Sequence, residues 1–116
     1  MKQHVNGAQL KEIDLDERIS LLSLVTGLAK DYVSDEYRKG MKDEDSMLLK
    51  YGYDIKVGDL IEMIEDFTGE FPTPEIVSGK YKVKISAADS EFQVSYCDAL
   101  YEVVKILLKK KIIIVQ

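Results

Sequence analysis

The chain has 116 residues, 46% of them apolar and 32% charged, with seven tyrosines, three phenylalanines and no tryptophan. That is ordinary globular composition, and the length suits a single domain of roughly 100–150 residues with a core of its own. A formal net charge of −5 argues against general affinity for nucleic acid, because the sequence-independent phosphate contribution needs clustered Lys and Arg.

The charge is unevenly spread. Residues 1–70 hold 9 basic and 16 acidic side chains, whereas residues 71–116 hold 7 and 5, so a local basic face in the C-terminal part stays open. The acidic N-terminal part favours a basic partner or simple solubility. Cys97 is the only cysteine, which leaves no intrachain disulfide. Residues 1–7 are polar and lack the apolar run of a signal peptide. No stretch approaches the ~18 consecutive apolar residues that span a bilayer. The expectation is a soluble, cytoplasmic protein without a membrane partner.

Residues 1–12 show no periodicity and read as a flexible arm, with residues 13–116 as one domain. Asp14 and Glu17 have capping-box spacing and open a long helix over residues 15–39. From Ile19 to Ala29 that helix is apolar on most sides, so other elements or a second copy of the chain must enclose it. Gly27 within it either weakens the helix or marks a close packing point. A short helix is expected over residues 41–50, and Tyr51, Tyr53, Ile55 and Val57 alternate as a short strand. Asp59 and Glu62 repeat the capping spacing before a helix that Gly69 stops. Phe71-Pro72-Thr73-Pro74 reads as a rigid connector.

The stretch from Lys80 to Lys110 organises the remainder. Tyr81, Val83 and Ile85 alternate with lysines, and Phe92, Val94 and Tyr96 alternate with polar residues. This period of two predicts an antiparallel hairpin (80–86, 91–96) with Ala87-Ala88-Asp89-Ser90 as its loop. In that register Ile85 pairs with Phe92, Val83 with Val94 and Tyr81 with Tyr96 on the buried face. A C-terminal helix (98–110) lays Leu100, Val103, Val104, Leu107 and Leu108 over it. The β-branched run Ile112, Ile113, Ile114, Val115 reads as a last strand (112–115) or as an edge for self-association with another chain. The fold class is therefore α+β: N-terminal helices packed with a small sheet and a C-terminal helix.

Candidate chemistry is sparse. His4 is the only histidine, too little for a His-based triad or a multi-His zinc site. Cys97 falls at a strand-to-helix junction, where a helix N-terminus lowers a thiol pKa, but no histidine is at hand as its base. Asp43-Glu44-Asp45 fails the calcium-loop pattern, and Asp31, Asp35 and Glu36 fit the wet face of a helix. Ser78-Gly79-Lys80-Tyr81 fails as a phosphate loop, with Pro74 in place of the first Gly and Tyr81 in place of Ser or Thr. No cofactor, metal or catalytic set is expected.

The outer hairpin face is the candidate binding face, with Lys80, Lys82, Lys84, Gln93 and Ser95 projecting together. No aromatic shares it in the expected register, so the stacking platform of single-strand binders is missing. The reading is a non-enzymatic protein-binding module (regulator, inhibitor or immunity-type), with homo-oligomer formation open. Nucleic-acid binding through the lysine face is the alternative.

Overall fold

The computed structural model describes residues 3–39 and 55–115. They form a mixed α+β protein with five helices and a three-stranded antiparallel sheet among the described residues. The chain divides into two compact units: Asn6–Ile55 with Ile114–Gln116, and Met1–Val5 with Lys56–Ile113.

The helical unit begins with α1 (Gly7–Leu10), closed by a capping box in which Asn6 and Gln9 exchange backbone-to-side-chain hydrogen bonds. Residues 3–12, expected to be an unpatterned arm, thus hold a short helix with Leu10 fully buried. Helix α2 (Leu15–Thr26) starts at the expected Asp14–Glu17 box: Glu17 N–H donates to Asp14 Oδ1 at 2.8 Å, and Asp14 N–H to Glu17 Oε1 at 3.0 Å. Ile19, Ser20, Leu21, Leu22 and Ser23 are all buried.

The single helix expected over residues 15–39 is two. Gly27 caps α2 in the left-handed region at φ 74°, and α3 (Lys30–Arg38) restarts three residues later. A Cβ on Gly27 would meet nothing within 4 Å, so its role is conformational and not close packing. Side chains hold the corner: Ser23 Oγ donates to the Leu28 carbonyl at 2.7 Å, and the Leu28 N–H donates to Thr26 Oγ1 at 3.2 Å. Helices α2 and α3 pack together, with Lys30 paired to Asp16 at 3.2 Å. The expected helix over 41–50, and residues 51–54 of the expected strand, lie outside the described residues. Of that strand's remainder, Lys56 forms one bridge with His4, and Val57 already begins a helix.

In the other unit α4 (Val57–Thr68) starts earlier than the Asp59–Glu62 spacing implies. Lys56 is the N-cap and has no acceptor to offer, while Asp59 accepts the Lys56 N–H at 2.8 Å. Gly69 ends α4 as expected, at φ 75°. Strand β1 (Pro74–Val77) replaces part of the expected connector and pairs with β2 (Lys80–Ile85), from Pro74 opposite Val83 to Val77 opposite Lys80. The two-residue turn between them, Ser78-Gly79, has φ 52° and 76°, the type I′ geometry that matches strand twist.

Strand β3 (Ala88–Asp89) is short, and the expected hairpin register is wrong. Ile85 lies opposite Ala88 and Lys84 opposite Asp89, so the loop is Ser86-Ala87. Ser90 continues the ladder by returning both bonds of Val83: its N–H donates to the Val83 carbonyl at 2.8 Å, and its Oγ accepts the Val83 N–H at 2.9 Å. Tyr81 then pairs with Gln93 through two bonds of 2.8 and 2.7 Å. Between Ser90 and Gln93 the returning chain carries one residue more than β2 does, as in a β-bulge.

Helix α5 (Tyr96–Lys109) begins two residues before the expected 98, capped by Ser95, whose Oγ accepts the Asp98 N–H at 3.0 Å. Leu100, Val103, Val104, Leu107 and Leu108 are all buried, as the helical stripe requires. They pack α5 on α4, β2 and β3, and each contributes about 1.5–3 kcal/mol by leaving water. Residues 112–115 are not a strand. Lys111 stands in the left-handed region at φ 58°, and the N–H groups of Lys111 and Ile112 donate to the Leu108 and Leu107 carbonyls. This is a Schellman ending with lysine where glycine is usual.

Candidate interaction surface

The sheet has one face under α5 and one turned outward. Val83 and Ile85 are buried, which leaves Lys80, Lys82 and Lys84 on the outer side by alternation. Directly paired residues of an antiparallel ladder share a face, so the register fixes what accompanies each lysine. Lys80 lies opposite Val77, Lys82 opposite Glu75 and Lys84 opposite Asp89. Two of the three lysines thus stand beside a carboxylate, and the face approaches neutrality.

The extra residue before Gln93 inverts the other half of the expected face. Shifting a strand by one residue moves each side chain to the opposite side. Gln93, expected outside, is half-buried opposite Tyr81, and Ser95 is buried as the α5 cap. Phe92 takes the outer side instead, with the Lys82 ammonium 5.6 Å from its ring centroid. It is 41% exposed, and Val94, two residues on, is 77% exposed. Val77 and Ile76 of β1 are exposed as well. Phe92 and Val94 thus stand exposed where the expected register buries them. The signal that could have revealed them is Ser90, whose hydroxyl can stand in for a strand carbonyl and so permit an earlier turn.

The sheet's two margins differ in what they offer a neighbouring strand. Tyr81 and Val83 direct their backbone groups toward residues 90–93, so Lys80 and Lys82 direct theirs toward β1. Glu75 and Val77 return those bonds, leaving Ile76 and Pro74 facing outward from β1. Pro74 has no N–H, so this margin presents a single donor over the strand. At the other margin Gln93 bonds inward to Tyr81, flanked by the exposed Phe92 and Val94.

Other expected positions are placed apart from this surface. His4 is exposed and paired through its backbone with Lys56. Cys97 is fully buried in the first turn of α5, out of reach of solvent reagents. Of the expected self-association edge, Ile113 is buried, Ile112 and Val115 are half-buried, and Ile114 is 55% exposed. Lys110 Nζ donates to the Ala87 carbonyl at 2.7 Å, tying the end of α5 to the β2–β3 turn. Glu70 accepts from the Ser86 N–H and Oγ at the same turn, at 3.1 and 3.0 Å. Among the described residues no three His, Cys, Asp or Glu side chains gather as a metal site, and no helix is long and apolar enough to cross a membrane.

Comparison with protein-family models, curated proteins and solved structures finds no match to this chain.

Proposed function

We propose that the chain is a small cytoplasmic protein-binding module, of the regulator, inhibitor or immunity type, and that the outer face of the sheet receives a partner protein. The observation that carries this reading is the set of exposed apolar side chains, Val77, Phe92 and Val94, beside lysines matched in register by Glu75 and Asp89. A near-neutral face with apolar anchors and charges of both signs suits a polypeptide. The apolar groups supply the energy of contact and the charges set its register.

Nucleic-acid binding through the lysine face gains an aromatic, since Phe92 shares that face with Lys82. It remains the weaker reading. One side of the ring already carries the Lys82 ammonium, and two carboxylates stand among the lysines that a phosphate backbone would follow.

The test is affinity capture from the protein's own host extract with and without nuclease treatment, with the full chain as bait beside its Val94→Asp and Lys80→Glu variants. A protein band that survives nuclease and falls about tenfold or more with Val94→Asp supports the reading, provided circular dichroism shows the variant folded. Recovery abolished by nuclease, together with loss of nucleic-acid retention in Lys80→Glu, replaces it with the nucleic-acid reading. A band indifferent to Val94→Asp overturns the assignment of this face.

A further inference from the structure

We draw no further inference here: the strongest candidate, the sheet margin beside Gln93 flanked by the exposed Phe92 and Val94, belongs to the surface already described, and nothing in the structure shows what covers it.

Discussion

At the scale of single residues, two positions carry testable physics. The Tyr96 hydroxyl donates to the Pro72 carbonyl at 2.5 Å, and burial holds its pKa above the ordinary 10.0. Because the folded value is the higher one, the unfolded chain releases this proton first. The stability it contributes is complete below pH 10 and is lost as pH climbs through the raised value. Tyr96→Phe leaves the carbonyl without its donor and is expected to cost about 1–2 kcal/mol at neutral pH. The gap between parent and variant in urea unfolding should narrow above pH 10; a constant gap would show that the hydroxyl does not act through this bond. Lys111 is the second position. Its left-handed backbone costs a side chain about 1–2 kcal/mol, partly offset in any glycine variant by the freer unfolded chain. Lys111→Gly is expected to stabilise by about 0.5–1 kcal/mol in the same assay, and destabilisation would mean that the Lys111 side chain does more than fill a cap.

At the scale of elements, what was legible in the sequence follows from how local each signal is. The α5 stripe and the Asp14–Glu17 box involve residues three or four apart on one helix, so spacing alone determines them. The Gly27 break was hidden because glycine at mid-helix and glycine at a cap look alike until the corner bonds of Ser23 and Thr26 are seen. Strand pairing is less local. The alternation of Phe92, Val94 and Tyr96 is real, but the buried Ser90 and one extra residue decide which side it faces. The expected outer face shifts with the register: Lys80, Lys82 and Lys84 lie on the outer side, whereas Gln93 is half-buried, Ser95 is buried, and Phe92 and Val94 are exposed. The two registers make opposite predictions about stability. Ile85→Ala removes a buried side chain and should cost about 2–5 kcal/mol. Val94→Ala, at an exposed site, should stay within about 0.5 kcal/mol of the parent. Equal losses in denaturant unfolding would restore the register in which Val94 lies under the helix.

At the scale of the whole molecule, the question is how readily an exposed apolar edge strand can pair with a second copy of the chain. Ile76 and Val77 are both exposed on β1, and an edge strand with free donors is a template for another chain. The register limits what this margin can offer a second strand, since of the two β1 residues facing outward, Pro74 has no N–H to give. Pro74→Val restores the donor while keeping a residue suited to strands, so the margin gains a second N–H two residues from that of Ile76. The variant is expected to show a concentration-dependent rise in mass by light scattering, above whatever mass the parent shows under the same conditions. The substituted side chain still lies opposite Val83, so circular dichroism should register the same folded chain. An unchanged mass across a hundredfold range of concentration would mean that the exposed side chains, and not the missing donor, govern association. The missing Pro74 donor and the exposed side chains thus make distinguishable predictions for association at the β1 margin.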